Sequence, residues 1–405
     1  MPKKLVIVGT LDTKGVEFKF IRDIANREGV QTLVINTGIV GEPYFKPDYS
    51  SEQVAEYAGE TLENLRQRAD RGYAIGAIMQ GAAKLVLELY AQGKVAGVIS
   101  LGGSAGTTIA AHVMQALPIG LPKLIVSTVA SGDTRPYVKE KDITMMYSVV
   151  DISGINSISN KILTNATYAI LGMLKAKYQD LKTQKPLIAA SMFGVTTPCV
   201  TVARDYLESK GYEVLVFHAT GSGGMAMESL IQAGFIKGVL DVTTTELADE
   251  LVGGVLTAGP ERLEMAAKKG IPQVVSVGAL DMVNFGPIET VPEKFQGRNL
   301  YKHNATITLM RTTLEENQAL GKIIAEKLNK TTGKTAVYLP LKGVSLIDTA
   351  GQVFYGPQED QMLFKTLKNN LNLDLVEVQE LDMEINDPEF ALAMAKKLVA
   401  MIEGK

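Results

Sequence analysis

A single cysteine in 405 residues, Cys199, excludes an internal disulfide framework and any zinc cluster built on thiolates. Histidine is almost as scarce: His112, His218 and His303 stand singly, so no His-rich metal motif is present. Neither sign of charge prevails, since Lys+Arg 41 against Asp+Glu 44 leaves a formal net charge of −3. A chain that neutralises many phosphates carries a basic surplus, so nucleic acid is not an expected partner. The pairs Lys3-Lys4, Lys268-Lys269 and Lys396-Lys397 read as solvated helix faces or a terminus. Long apolar runs are missing too. The uncharged stretch from Val95 to Pro122 is broken by Gly102-Gly103-Ser104, His112 and Pro118, so it cannot span a bilayer. Leu5–Val8 is too short for a signal peptide. The expectation is a soluble, cytoplasmic protein with no membrane partner.

Proline is sparse, at 15 residues, but glycine is not: 38 exceed the roughly 7% of average usage and suggest many tight strand-to-helix turns. Short β-branched runs recur at Leu5–Val8, Thr32–Ile35, Ala74–Met79, Val95–Leu101, Leu124–Val126 and Thr144–Val150. Amphipathic stretches lie between them, and a longer helix is predicted over Ile155–Lys177. Strands this apolar, alternating with helices, imply a parallel sheet covered on both faces, a doubly wound α/β arrangement.

The plan then repeats. Glu28–Ile35 lines up with Lys210–Phe217, Leu5–Ile7 with Leu187–Ala189, Gly93–Ile99 with Gly234–Leu240, and Gly120–Lys123 with Gly270–Gln273. Two related α/β domains follow, residues 1–183 and 184–405, joined near Thr183–Pro186, the first with about forty extra residues in Gly38–Gln92. Glu380–Lys405 reads as a strand end and a terminal helix that packs back across the domains.

In such sheets ligands sit at the carboxyl ends of the strands, beside helix amino termini. The first such loop is Gly9-Thr10-Leu11-Asp12-Thr13-Lys14-Gly15. Asp12 either caps the following helix or reaches a magnesium, and Lys14 stands where an anion would lie. The loop lacks Walker spacing. The second, Gly102-Gly103-Ser104-Ala105-Gly106-Thr107, offers a nest of backbone amides suited to phosphate or serves close packing alone. Asn36-Thr37-Gly38 and Ser127-Thr128 end neighbouring strands on the same rim. No GxGxxG opens the chain, which disfavours NAD.

Gly-Thr-Leu-Asp-Thr-Lys-Gly-x-Glu near the start, Gly-Gly-Ser-x-Gly-Thr, and Phe217-His218-Ala219-Thr220-Gly221-Ser222-Gly223-Gly224 together resemble the uncharacterised family named for the amino-terminal domain of the tomato mosaic virus resistance protein. The resemblance covers essentially the whole chain. It implies two Rossmann-like subdomains, an ATP site in the first, and self-association as a homodimer. On this likeness ATP falls to Thr10, Asp12, Thr13 and Lys14 of the first motif and Gly102, Gly103, Ser104 and Thr107 of the second. Chemistry then suits Gly103, Ser104 and Thr107 to the phosphates, and Thr37 and Ser127 to ribose or base.

In the second half, His218 ends a strand beside Gly221–Gly224, Glu246 follows Thr243-Thr244-Thr245, and Asp281 follows Gly278. A histidine near two carboxylates suits acid–base work on a small polar or anionic metabolite, although a lone histidine is as readily structural. Arg298, His303 and Asn304 lie in the connection beyond, and Arg135 in a loop of the first half. Cys199, among Val200 and Val202, reads as a packed small residue. The functional expectation is Mg²⁺-ATP-dependent group transfer or activation of a small organic acid. The alternatives are a nucleotide-responsive binding protein without turnover, and a His/Asp hydrolase or isomerase with regulatory ATP.

Overall fold

The structure, a computed structural model, describes residues 3–177 and 185–404. The chain divides into two compact units, residues 1–180 and 181–405. The predicted 183/184 boundary falls in residues 178–184, outside the described residues.

Unit 1 is a five-stranded sheet of β1 (Lys4–Gly9), β2 (Thr32–Asn36), β3 (Val95–Gly102), β4 (Lys123–Ser127) and β5 (Thr144–Tyr147). The order is β2-β1-β3-β4-β5 and every pairing is parallel. Alternation along β1 shows why both faces are covered. Leu5 and Ile7 join one core with Phe18, Ile21 and Ile170, while Val6 and Val8 join another with Ile78, Leu85 and Ile109. Helices Gly15–Arg27 and Ser157–Leu174 cover the first face, and Arg71–Ala91 and Ser104–Gln115 the second.

One predicted strand is a helix. Ala74–Met79 lies inside Arg71–Ala91, a helix that Asp70 starts by accepting the Tyr73 N–H at 3.0 Å. A short apolar run cannot be assigned by periodicity, and here Ala74, Ile78 and Ala82 bury one face at helical spacing. By length and composition this helix is apolar enough to cross a membrane. Its Ile78, Ala82, Leu85, Val86 and Leu89 are spent on the core of unit 1.

Unit 2 carries β6 (Leu187–Met192), β7 (Glu213–His218), β8 (Ile236–Thr243) and β9 (Gln273–Gly278). A small antiparallel sheet follows, of β10 (Met282–Phe285), β11 (Leu300–Lys302) and β12 (Thr308–Arg311) in the order β10-β12-β11. The main sheet then resumes with β13 (Thr335–Pro340) and β14 (Val376–Leu381). Its order is β7-β6-β8-β9-β13-β14, all parallel. The terminal helix Pro388–Ile402 packs Phe390, Met394 and Leu398 against Cys199, Ala203 and Leu207 of its own unit. The Cys199 thiol, buried there, has its pKa pushed up to about 12 by burial, so it fills space and is not reactive.

The internal repeat extends to register. Lys4 pairs with Val95 and Leu5 with Gly97 across an irregularity, and Leu187 with Ile236 and Ile188 with Gly238 across the same irregularity. Leu5 pairs with Thr32 as Ile188 does with Val214, and Val98 with Lys123 as Val239 does with Gln273. Leu5 thus matches Ile188, one residue later than the sequence alignment placed it. The other three matches keep their register. Both units are Rossmann-like α/β folds related as a repeat.

A buried cation fastens unit 2. Arg262 is fully enclosed and reaches Asp241 at 2.5 and 2.7 Å, Glu246 at 2.7 Å and Glu228 at 3.5 Å. It ties β8 to the helices Glu246–Val252 and Ser222–Gln232. Removing one partner of such a cluster strands the others without their countercharge. Arg262→Ala is therefore expected to cost about 3–5 kcal/mol, read as a fall in the urea midpoint of unfolding.

Candidate functional site

The order β2-β1-β3-β4-β5 reverses direction between β1 and β3, and the loops after these two strands open there. A cleft of about 770 Å³ occupies this position. Its floor is Thr10, Asp12, Thr13 and Lys14 after β1, Thr37 after β2, and Gly102, Gly103 and Ser104 after β3. Eight of the ten residues assigned to nucleotide from the sequence thus share one cleft.

Asn36 organises the floor. Buried at the end of β2, its Oδ1 accepts the Leu11 N–H at 3.0 Å and the Gly38 N–H at 2.9 Å, and its Nδ2 donates to Ser51 Oγ at 3.4 Å. Thr37 N donates to Gly9 O at 2.9 Å. Thr13 Oγ1 donates to Thr10 Oγ1 at 2.9 Å. Asp12 is not a cap: Lys14 holds the N-cap position of Gly15–Arg27, and no side chain caps that helix. Asp12 Oδ2 instead accepts the N–H groups of Val40 and Gly41 at 3.1 and 3.2 Å, which fixes the loop after β2. The Lys14 ammonium donates to Ile152 O.

Thr107 and Ser127, expected on phosphate and on ribose or base, do not reach the cleft. Both are fully buried behind the glycine loop, their hydroxyls 2.7 Å apart, with Thr107 Oγ1 also on Gly102 O and Ser127 Oγ accepting the Val129 N–H. They brace the loop and do not line the cleft.

The helix Ser104–Gln115 starts at Gly103 with no side-chain cap, so its first N–H groups face the cleft with the positive end of the helix dipole. Two buried polar atoms on the floor, Thr37 Oγ1 and Asp12 Oδ1, have no hydrogen-bond partner. Thr37 is only 1% exposed. Opposite, the segment inserted after Gly38 supplies an apolar wall of Ile39, Leu65, Ala74 and Ile75, with Arg66 and Arg71 at its edge. Sequence reasoning did not assign these wall residues. The signal was present in the extra length of Gly38–Gln92, which the second half lacks.

At the second unit's own reversal, between β6 and β8, the rim is filled by the chain's own side chains. Thr196 and Thr243 hydroxyls meet there at 2.8 Å, and Thr244, Thr245 and Glu246 are fully buried. The amides of Gly221 and Gly224 already donate to Glu246 Oε1 at 2.7 and 3.0 Å, so an internal carboxylate fills that nest. Glu246, expected as a catalytic group, is therefore a structural partner of Arg262. His218 is exposed on the edge strand β7, its ring 5.4 Å from that of Phe193. Asp281 follows β9, with β6 and β8 between the two, a separation of about 14 Å at ordinary strand spacing. The expected acid–base pair is not assembled. Arg298 holds Glu316 at 2.8 Å, and His303 lies exposed on the β11–β12 turn.

Asp281 belongs to another cluster. It accepts from Ser345 Oγ at 2.8 Å, close to Arg311, which binds Asp348 at 3.1 Å and Asp360 at 2.9 Å. Burial, then the neighbouring Asp348 carboxylate, pushes the Asp281 pKa up to about 7.

Comparison with known proteins places the chain. The family described as "Uncharacterised protein family (UPF0261)" matches twice, its N-terminal domain over residues 3–179 and its C-terminal domain over residues 185–402. A UPF0261 protein of Clostridium tetani is 62% identical over 403 residues, covering 100% of both chains. The ToMV resistance protein Tm-1(GCR237) of Solanum lycopersicum is 48% identical over 416 residues, covering 96% of this chain and 55% of that protein. The family inferred from the three motifs is thus the family found. Among solved structures, a UDP-N-acetylglucosamine 2-epimerase from Rickettsia bellii aligns over 100% of this chain and 97% of its own at 10% identity. Its TM-score of 0.24 is too low to support a functional argument.

The raised Asp281 pKa has a signed consequence for stability. A carboxyl that holds its proton more tightly when folded adds stability below its unfolded pKa, near 3.8, and loses it as pH rises through about 7. Asp281→Asn removes that loss. Across thermal unfolding at pH 5, 6, 7 and 8, the variant's melting temperature is expected to rise relative to wild type with increasing pH.

Proposed function

The chain belongs to the uncharacterised protein family UPF0261, and from that premise we propose that it binds ATP in the cleft of unit 1. The observation that carries this reading is the union, in one cleft, of an uncapped helix amino terminus, an unpartnered buried hydroxyl and an apolar wall. The amides of the Ser104–Gln115 terminus suit phosphate, and Arg66 and Arg71 add positive charge. Ile39, Leu65 and Ile75 suit the face of a base. The volume is that of a small-molecule site. Mg²⁺ would arrive on the phosphates, which with water supply most of its ligands.

Bound ATP would supply a transferable phosphoryl or nucleotidyl group. Phosphoryl transfer relies chiefly on positioning and on charge stabilisation, so cations on the cleft rim meet its main requirement without a histidine base. That supports ATP-dependent transfer to a small polar or anionic metabolite after the dispersal of His218, Glu246 and Asp281. A nucleotide-responsive binding role is the second reading, favoured by the engagement of the Lys14 ammonium with Ile152 O. Metabolite-dependent release of ADP or AMP separates transfer from mere binding.

Mg²⁺-ATP at 100 times its Kd is expected to add about 2.7 kcal/mol to stability, seen as a rise in melting temperature. Calorimetry and melting that register none of ATP, ADP and AMP would remove the nucleotide reading.

Neighbouring glycines sharpen the test. A Cβ on Gly103 meets only Thr128 Oγ1, at 3.8 Å, whereas one on Gly102 comes within 3.0 Å of Gly106 Cα. Gly103→Val should fold, at about 1 kcal/mol for the poorer N-cap, and lose ATP because the side chain screens the amides. Gly102→Ala should instead lower the melting temperature, because backbone must shift to admit the methyl group.

A further inference from the structure

The two unpartnered oxygens on the cleft floor have a chemistry distinct from that of the helix terminus. Thr37 Oγ1 lies on a side chain only 1% exposed, yet it meets no protein donor or acceptor. Asp12 Oδ1 is likewise without a partner, while Oδ2 of the same carboxylate is held by Val40 and Gly41 amides. The two residues lie close together in the fold. Gly38 follows Thr37 directly, and a Cβ on it would lie 2.4 Å from Asp12 Oδ1. Both residues face the cleft.

Burying a hydroxyl or a carboxylate oxygen with no partner is costly, so a ligand that satisfies both is strongly selected. A phosphate does not satisfy them. It offers only acceptors to a carboxylate oxygen that also accepts, and its charge is better met by the helix Ser104–Gln115 and the two arginines. Of the two groups only Asp12 is a charged ligand, so a metal ion held here would owe its remaining ligands to phosphate and water. A vicinal diol fits. One hydroxyl donates to Asp12 Oδ1, and the other accepts from, or donates to, Thr37 Oγ1.

Resting on the nucleotide reading above, we propose that Asp12 and Thr37 read the ribose hydroxyls, so that the cleft selects ribonucleotides over deoxyribonucleotides. The floor is divided by chemistry: the loops after β1 and β2 take the neutral diol, and the loop after β3 takes the anion. Asp12 and Thr37 are then specificity residues, with no part in bond breaking.

The test is calorimetric titration of the full chain with ATP, 2′-deoxy-ATP, 3′-deoxy-ATP and inorganic triphosphate, each with and without Mg²⁺. Wild type is expected to bind at least one deoxy analogue about tenfold or more weakly than ATP, since a site built to bond a hydroxyl penalises its absence. Thr37→Val is close to isosteric and removes a hydroxyl that has no protein partner, so its melting temperature should hold. It should weaken ATP about tenfold while leaving the affected deoxy analogue unchanged. Equal binding of ATP and both analogues by wild type overturns this proposal alone. Asp12→Asn weakening ATP only when Mg²⁺ is present also overturns it, by assigning Asp12 to the cation. Failure of every nucleotide to bind overturns the nucleotide reading and this one with it.

Discussion

The geometry of the cleft depends on one buried amide. Asn36 binds the loop after β1 through the Leu11 N–H, the loop after β2 through the Gly38 N–H, and the inserted segment through Ser51 Oγ. With three segments tied to one side chain, Thr10, Asp12 and Thr37 keep fixed positions on the floor. The insertion is anchored at the same place. Tyr49 bridges Ile35, Asn36 N donates to Tyr49 O at 2.9 Å, and Asp48 Oδ2 accepts the Val34 N–H at 2.8 Å. The edge of β2 is therefore covered, and the chain beyond it is directed over the sheet to wall the cleft.

The second unit shows what the same fold becomes without that insertion. By register His218 is the counterpart of Asn36, yet it ends an edge strand and stays exposed. The polar rim is turned inward instead. Glu246 takes the glycine amides that would meet a phosphate, and Arg262 neutralises Glu246 together with Asp241 and Glu228. One repeat keeps its amides open to a ligand, and the other satisfies them with its own carboxylate. A glycine-rich loop after a strand reads the same in both cases, because the sequence does not display which partner the amides find.

Buried carboxylates follow the same logic. Asp281, Asp348 and Asp360 crowd one guanidinium, that of Arg311; burial raises the pKa of all three, and the Asp348 carboxylate adds to the rise at Asp281 and Asp360. Such perturbation often marks a functional site, but here the cluster holds the loop after β13 to β12 and the helix Pro357–Asn370.

The sequence by itself determined the two α/β units, their parallel sheets, their repeat and the loops that line the cleft of unit 1. Runs such as Leu5–Val8 bury both faces of a strand, and a motif such as Gly102-Gly103-Ser104 opens a helix; both are local properties of the chain. It did not determine the single residue of register between Leu5 and Ile188, or the helical state of Ala74–Met79. Nor did it show that Thr107 and Ser127 turn away from the cleft while Arg66 and Arg71 turn to it. These depend on what each group meets after collapse. A hydroxyl, an amide or a carboxylate is a binding group only if no neighbour in the fold satisfies it first, and those neighbours lie tens of residues away along the chain.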